Sequence, residues 1–146
     1  MNKEQMLGEM EILFLGLGDK TRLRILNLMR EDEVNVNLFA EILEESQPKI
    51  SRHLAYLKAS GLVETRRAGK LIYYRISESE ENFQSFFIEH LLNWLENQKF
   101  MNDEYRKIKE FYRSKNNSQN EIVETKQDIY ADTHTNSRKE LEIFLL

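Results

Sequence analysis

A serine-capped helix that ends at a glycine is the feature that most constrains this chain. Ser46 can cap a helix, and Pro48 falls in its first turn, where the missing N–H has no intrahelical partner to lose. Gly61 suits the left-handed backbone conformation that ends many helices. The sequence therefore predicts a helix over 47–60. Its apolar stripe, at helical spacing, consists of Ile50, Leu54 and Leu57.

The face of this helix opposite the stripe combines small side chains with cations. Small residues let the backbone approach the floor of a DNA groove, while Lys49 and Arg52 reach base edges or phosphates. An ordinary solvent-exposed helix in a helical bundle needs the same cap and the same stripe. Both interpretations therefore stay open on this helix alone.

Apolar residues at helical spacing predict three helices before this one. Asp19 can cap the second of them, and Asn37 can cap the third. Because only the turn at Glu44 and Glu45 separates the third helix from the fourth, the two form a helix-turn-helix. The first two helices are predicted over 5–17 and 21–30, and the third lies within the segment 37–45, which includes its cap and the turn.

A basic hairpin follows the fourth helix directly. The runs 62–67 and 71–76 predict two strands, with Ala68 and Gly69 in the turn between them. A hairpin this tight can lie along a phosphate ridge or a minor groove. The predicted fold class is therefore mainly α with a small β-hairpin, a winged helix-turn-helix. The hairpin tip carries three cations, Arg66, Arg67 and Lys70.

Formal charge is distributed unevenly along the chain. The net charge is -4, yet residues 46–76 carry seven Lys and Arg and a single acidic residue, Glu64, between two acidic flanks. A phosphate backbone responds to such a patch rather than to the net charge. The patch predicts nucleic-acid binding, and a fluctuation of charge on a solvated surface is the alternative.

Two stretches of this chain resemble the arsenical-resistance-repressor (ArsR-type) family of winged-helix regulators. The recognition helix and wing of that family resemble SQPKISRHLAYLKASGLVETRRAGKLIYYRIS, and its second helix resembles LGDKTRLRIL. The resemblance covers roughly residues 10–95. It implies a homodimeric repressor whose recognition helices read successive major grooves of an inverted repeat. It also implies that the first and last helices form the dimer interface.

The resemblance assigns DNA contacts to the fourth helix and the hairpin. It implies that the first half of the helix faces bases and backbone, while Arg67 and Lys70 meet the flanking groove. His53 lies about 60° from the apolar stripe at ~100° per residue, which favours half-buried packing, although it stays among the candidates. The predicted DNA-binding set is Ser46, Gln47, Pro48, Lys49, Ser51, Arg52, His53, Arg66, Arg67 and Lys70.

The last helix carries an apolar stripe from Phe83 to Tyr112, in steps of three and four. Such a stripe needs a partner. We expect it to pair with the acidic first helix between two subunits, and packing under the wing within one chain is the alternative. The predicted dimer interface is Met10, Leu13, Phe83, Phe87, Leu91 and Trp94.

The C-terminal half predicts a change from helix to disorder. Ser77 and Glu80 can form a capping box for the last helix, whose length predicts a break near Asn102-Asp103 or a protruding arm. The stretch that follows is rich in Asn, Ser, Thr, Glu and Asp without a sustained period, which predicts disorder. We expect a winged helix-turn-helix and dimerisation domain over 1–98, a helical extension over 99–114 and a disordered tail over 115–146.

No metal site and no cofactor are predicted. The family's arsenic-binding members carry Cys-Val-Cys where this chain has Asn35-Val36-Asn37, and the chain has no cysteine to bind arsenite. Asparagine is an ordinary turn and cap residue there. Four residues are candidates for the family's zinc site but do not reproduce its spacing. They are Glu78, Glu80, Glu89 and His90.

The predicted function is a homodimeric, sequence-specific transcriptional repressor that binds an inverted repeat in double-stranded DNA and is released by an unidentified effector. No residue pattern supplies catalytic chemistry, so no enzymatic activity is predicted. Without cysteine, a long apolar run or a secretory pattern, the chain is expected in the cytoplasm with no membrane partner. The alternative is a winged-helix protein-interaction module that no longer binds DNA, which fits the acidic flanks.

Overall fold

The computed structural model describes residues 1–78 and 83–118. The described part is mainly helical with one small antiparallel sheet, as the sequence predicts. The chain divides into two units, 1–108 and a second one that begins at residue 109. The elements are α1 Lys3–Leu17, α2 Lys20–Leu28, β1 Val34–Asn35, α3 Val36–Leu43, α4 Gln47–Ala59, β2 Val63–Ala68, β3 Leu71–Ile76 and α5 Phe83–Glu96.

Short polar side chains start the helices of the first unit. Asp19 accepts a hydrogen bond from the backbone N–H of Arg22 at 3.0 Å, and Ser46 accepts one from Lys49 at 3.4 Å, so both predicted caps are present. The predicted cap of α3 is wrong. Asn35, not Asn37, accepts from the backbone N–H of Leu38 at 3.1 Å, because α3 begins at Val36.

The sheet contains a strand that the sequence analysis missed. Its order is β1-β3-β2, and β1 adds Val34 opposite Tyr74 at the edge of the predicted hairpin. Two residues are too few to show an alternating pattern, so only tertiary pairing reveals this strand. The hairpin turn itself passes through Gly69, whose φ of 60° is in the left-handed region.

The core of the first unit lies between α2, α3 and α4. The apolar stripe of α4 is fully buried there, which fixes the opposite face of that helix toward solvent. The core residues with at most 1% exposure include Leu13, Ile25, Leu26, Leu28, Val34, Phe39, Ile50, Leu54 and Leu57.

The helix break lies earlier than predicted. Helix α5 ends at Glu96, and helix resumes at residue 99, so the break falls at residues 97–98 rather than near Asn102-Asp103. The resumed helix packs on α2: Glu104 accepts from Nε of Arg24 at 2.9 Å, and Asn27 donates to the Met101 carbonyl at 2.8 Å. The compact unit therefore runs ten residues beyond the predicted boundary at 98.

Residues 109–118, which open the second unit, are helical. This range includes 115–118, where disorder is predicted, while 119–146 lie outside the described residues. The predicted partner of Ser77 in a capping box, Glu80, also lies outside them. None of the helices that the structure describes is long and apolar enough to cross a membrane.

Candidate nucleic-acid interface

A short, left-handed turn joins α3 to α4. Glu44 has φ 55° and ψ 43°, a conformation that costs a non-glycine residue roughly 1–2 kcal/mol. The backbone N–H of Glu45 donates to the Ala40 carbonyl at 3.1 Å, which satisfies one of the last carbonyls of α3. This turn and the Ser46 cap set α4 at a defined angle to α3, as a helix-turn-helix requires.

The first turns of α4 present polar and small side chains to solvent. Ser46, Gln47, Pro48, Ser51 and Arg52 are all exposed, as expected of a surface that enters a groove. Because the stripe of α4 is sealed in the core, these side chains cannot be its packing face.

Lys49, by contrast, is held by a carboxylate. Its Nζ lies 2.8 Å from Oε1 of Glu45, one helical turn earlier in the chain. The hydrogen bond from Lys49 lowers the pKa of Glu45, with help from the charges of Lys49, Arg24 and His53. The positive charge of Lys49 is therefore partly neutralised by a carboxylate in the turn of the helix-turn-helix.

His53 faces the start of α2. Its side chain is 18% exposed, and its Nδ1 lies 3.6 Å from Oδ1 of Asp19. Burial on its own would raise the pKa of Asp19, but the backbone hydrogen bond from Arg22 and the nearby charge of His53 together lower it. The structure thus places His53 beside a helix cap, apart from the exposed Arg52.

Two contacts that sequence reasoning missed fix α4 to its neighbours. The guanidinium of Arg22 lies 4.3 Å from the ring centre of Tyr56 and also donates to the Gly16 carbonyl at 2.6 Å, so it ties α1 to α4. Lys58 donates to Oγ1 of Thr65 at 3.2 Å, which joins α4 to the wing. Lys58 belongs to the cationic stretch 46–76, so the charge pattern of the sequence could have drawn attention to it. Arg22 lies outside that stretch, and no such pattern points to it.

The strand register divides the side chains of the wing between two faces, because alternate residues of a strand point to opposite sides and directly paired residues share a side. One side includes Thr65, which meets α4, and we call it the α4 face. The other includes Arg66, which meets Glu33, and we call it the Glu33 face. The α4 face consists of Val63, Thr65, Arg67, Ile72, Tyr74 and Ile76. The Glu33 face consists of Glu64, Arg66, Ala68, Leu71, Tyr73 and Arg75.

On the Glu33 face the arginines are paired with carboxylates. Arg66 forms a two-pronged pair with Glu33 and lies 5.1 Å from the ring centre of Tyr73. Arg75 lies 2.5 Å from Glu64, opposite it in the sheet. The hydrogen bond from Arg66 lowers the pKa of Glu33, and the same bond raises the pKa of Arg66.

On the α4 face the cation is open to solvent. Arg67 is exposed and donates to the carbonyl of Gly69, at 3.2 Å. Within residues 1–78 and 83–118, no carboxylate pairs with Arg67, with Lys70 in the turn or with Arg52 on α4. The structure therefore does not bring the predicted Arg66 and Arg67 together: it puts them on opposite sides of the sheet.

The predicted dimer-interface residues differ widely in how much of each side chain is exposed. Leu13 is fully buried in the chain's own core and has no surface left for a partner. Met10, Phe87 and Leu91 are half-buried, and the Phe87 ring lies 5.4 Å from that of Phe14, so α1 and α5 touch within one chain. Exposed apolar side chains on these two helices include Leu7, Phe14, Leu15, Phe83, Phe86 and Trp94.

The described residues contain no cluster of three or more side chains able to hold a metal ion. Of the four zinc candidates, Glu80 lies outside the described residues. His90 has its Nδ1 2.8 Å from the Phe86 carbonyl and its ring 4.1 Å from that of Phe86, which are contacts within one helix.

Comparison with known proteins agrees with this geometry. Residues 19–65 match the model of the bacterial regulatory proteins of the arsR family. The chain is 50% identical over 66 residues to the arsenical resistance operon repressor of Escherichia coli, covering 44% of this chain and 56% of that protein. It is 30% identical over 88 residues to the transcriptional repressor SdpR of Bacillus subtilis, covering 60% of this chain and 90% of SdpR.

A solved structure shares the fold. The homodimeric winged helix-turn-helix DNA-binding domain of a possible ArsR-family regulator from Mycobacterium bovis matches with a TM-score of 0.53 and 29% identity. The match covers 64% of this chain and 81% of that one. The chain spans little more than half the length of the arsenical resistance regulators that it matches.

Proposed function

The chain belongs to the arsR family of bacterial regulatory proteins, and from that premise we infer that it represses transcription as a homodimer on an inverted-repeat operator. The family and its DNA-binding, non-enzymatic character follow from the matches. The operator, the dimer and the release by an effector are the proposed part. We place this activity in the cytoplasm, where double-stranded DNA is the partner.

One observation carries the proposal: α4 and the α4 face of the wing present cations that have no carboxylate partner among the described residues. Arg52 on α4, Arg67 on β2 and Lys70 in the turn form this solvent-facing set. The bond from Lys58 to Thr65 holds the helix and the wing together, so both can engage one duplex. We assign base contacts to Arg52 and phosphate contacts to Arg67 and Lys70.

We propose that the exposed apolar side chains of α1 and α5 pair two copies of the chain. Phe83, Phe86 and Trp94 are 39%, 59% and 61% exposed, a large loss of hydrophobic stabilisation unless a partner covers them. A two-fold axis through this surface would place two copies of α4 for successive major grooves. The homodimeric Mycobacterium bovis domain supports this arrangement.

Repression would follow from mass action. The dimer occupies the operator, and an effector that prefers a different spacing of the two α4 helices lowers the occupied fraction. The family's cysteine chemistry for arsenite is absent from this chain, because it contains no cysteine and Asn35 caps α3 instead.

The test is binding of the full chain to the DNA upstream of its own gene, measured by fluorescence anisotropy over a range of salt concentrations. We expect the logarithm of the affinity to fall linearly with the logarithm of salt, with a slope of about -0.9 per phosphate contacted. Arg52→Ala should weaken binding to this DNA by about 1–3 kcal/mol and reduce the preference over shuffled DNA.

A matched control is Arg106→Ala, which removes an exposed arginine from the helix after α5. It should leave DNA binding unchanged. Absent or salt-insensitive DNA binding by the wild type would contradict the repressor proposal and favour a protein-interaction module.

A further inference from the structure

Helix α1 packs on the core through its C-terminal end. Residues 3–12 are exposed or half-buried. The ring contact between Phe14 and Phe87 joins α1 to α5, which contains none of the predicted DNA-binding residues. The direction of α1 relative to α4 therefore depends on the contacts that its C-terminal end makes. The buried residues of α1 all lie at that end and are Leu13, Gly16 and Leu17.

A cation from the next helix holds this end of α1. Arg22 of α2 donates from Nε to the carbonyl of Gly16 at 2.6 Å and from Nη2 to the carbonyl of Leu15 at 2.8 Å. Both carbonyls belong to the last turn of α1, where the backbone acceptors have no partner within the helix. That turn has no basic residue of its own. Arg22 therefore supplies both the donors and the positive charge that the C-terminal end of a helix favours.

The same guanidinium meets α4. It lies 4.3 Å from the ring centre of Tyr56, a side chain of α4 that is 41% exposed. A planar guanidinium that is held by two carbonyls and an aromatic ring at once has little freedom to move. The side chain of Arg22 is thus a fixed link between the last turn of α1 and the exposed side of α4.

Two further contacts bring α4 against the same junction of α1 and α2. A Cβ added at Gly16 would lie 2.6 Å from Cδ1 of Leu62, so α1 comes too close to the segment after α4 for a larger residue unless Leu62 shifts. His53 of α4 faces Asp19, the cap of α2, at 3.6 Å. Together with Tyr56, these contacts hold α4 from its middle to its end.

A small tilt at this junction is amplified along α1. The helix has 15 residues and is therefore about 22 Å long at a rise of about 1.5 Å per residue. A tilt of about 10° at its C-terminal end would displace the far end by roughly 4 Å. Because α1 is part of the proposed dimer surface, its direction relative to α4 affects how far apart two copies of α4 lie.

We propose that Arg22 is a positioning residue for DNA binding, which fixes α4 relative to α1 and so sets the spacing between the two α4 helices of a dimer. This role rests on the proposed function, since it needs a dimer formed through α1. The half-sites of an inverted repeat are separated by a helical turn or a multiple of it, so the spacing of the two α4 helices determines which repeat fits. Arg22 acts through α4 and does not itself contact DNA.

The first test measures this spacing without DNA. The chain has no cysteine, so Ala55→Cys on the exposed face of α4 provides a single attachment site for a spin label. Pulsed electron paramagnetic resonance then gives the distance between the two labelled helices of a dimer. We expect a narrow distribution with Arg22 in place, and with Arg22→Met a distribution at least about twice as wide or displaced by roughly 4 Å. An unchanged distribution overturns the proposal.

The second test measures the consequence for DNA binding. Fluorescence anisotropy compares the inverted repeat that the wild type protects upstream of its own gene with a single half-site of that repeat. Arg22→Met should weaken binding to the intact repeat at least about tenfold and binding to the half-site at most about twofold, because the contacts of each α4 are kept. Equal losses on the two DNAs, or no loss on either, contradict a role in spacing.

Matched variants separate the link from the loss of a charge. Lys20→Met removes an equal charge from an exposed position at the start of α2, and it should leave the ratio of the two affinities unchanged. Arg22→Lys keeps a cation beside Tyr56 but lacks the rigid fork of donors, so it should recover part of that ratio. A loss of the ratio in Lys20→Met as large as in Arg22→Met would show that charge alone is responsible.

Two controls keep the outcome decisive. Circular dichroism establishes that Arg22→Met is folded, and Arg22→Lys replaces it in both tests if it is not. Sedimentation equilibrium establishes that the variant is dimeric, and its dissociation into folded monomers would mean that Arg22 maintains the dimer contact rather than the spacing.

The wild type decides the proposed function by itself. A monomeric wild type, or one that binds the intact repeat no more tightly than the half-site, refutes the homodimeric repressor and the positioning role with it. A wild type with the expected preference, together with an unchanged Arg22→Met variant, refutes the positioning role alone.

Discussion

Both faces of the wing carry arginine side chains, but the two faces differ in whether those arginines are paired with carboxylates. On the α4 face Arg67 is open to solvent, on the same strand as Thr65, which accepts a hydrogen bond from Lys58 of α4. On the Glu33 face Arg66 and Arg75 are each paired with a carboxylate. Arg66 and Arg67 are neighbours in the chain, yet the alternation of the strand puts them on opposite sides.

This difference shows that a count of cations overstates the charge available to DNA. Seven Lys and Arg lie between residues 46 and 76, but Lys49, Arg66 and Arg75 each have an acidic partner. Two of these partners, Glu33 and Glu45, lie outside the basic stretch, and Glu33 reaches it only through the fold. The effective surface is therefore smaller and more one-sided than the sequence predicts.

The largest expected effect comes from removing the cations that remain open. Arg67→Ala with Lys70→Ala should reduce the salt slope by about 1.8 and weaken DNA binding roughly 50-fold at about 0.1 M salt, since two phosphate contacts are lost. The matched double variant on the Glu33 face, Arg66→Ala with Arg75→Ala, should change the salt slope and the DNA affinity far less. Fluorescence anisotropy in a salt series measures both, and equal losses would erase the distinction between the faces.

A smaller effect in the opposite direction is expected from releasing Arg66. Glu33→Gln removes its partner's charge, so the arginine becomes available to a phosphate and the salt slope should steepen by at most about 0.9. We expect DNA binding to tighten several-fold in the same assay. The control Glu9→Gln removes an equal charge from an exposed position on α1. If both variants tighten binding equally, a general gain of positive charge is the cause and the pairing of Arg66 is irrelevant.

The smallest effect is on stability and concerns acid pH. The hydrogen bond from Arg66 holds the pKa of Glu33 below its usual value of 4.5, so the pair stabilises the fold above that pH. This stability is lost as the pH falls through the lower, folded pKa. Urea unfolding between about pH 6 and about pH 3 should show a steeper loss for the wild type than for Glu33→Gln. Parallel curves would mean that this exposed pair contributes nothing measurable.

Much of the helix-turn-helix is predictable from the sequence, because its determinants are local. The Ser46 and Asp19 caps are confirmed, as are the left-handed Gly61 and the stripe of α4 in the core. Each depends on side chains within a few residues of the backbone group that they satisfy. The observed strands of the wing lie within one residue of the predicted ones for the same reason.

Contacts between distant segments were not predictable in this way. Strand β1 has two residues and no pattern of its own, and the bond from Arg24 to Glu104 spans 80 residues. Leu13 has the spacing of an interface residue, but the fold of one chain already buries it. Periodicity states which side of a helix is apolar and does not state which neighbour covers it.

The amino-acid sequence by itself determined the helices, the hairpin, the family and the location of the positive charge along the chain, since these depend on local spacing and side-chain chemistry. The tertiary structure alone decided which of those charges are open to a duplex, because Glu33 meets Arg66 only once β1 joins the sheet. Electrostatic partners are chosen by distance in space, and a linear charge pattern contains no such distances.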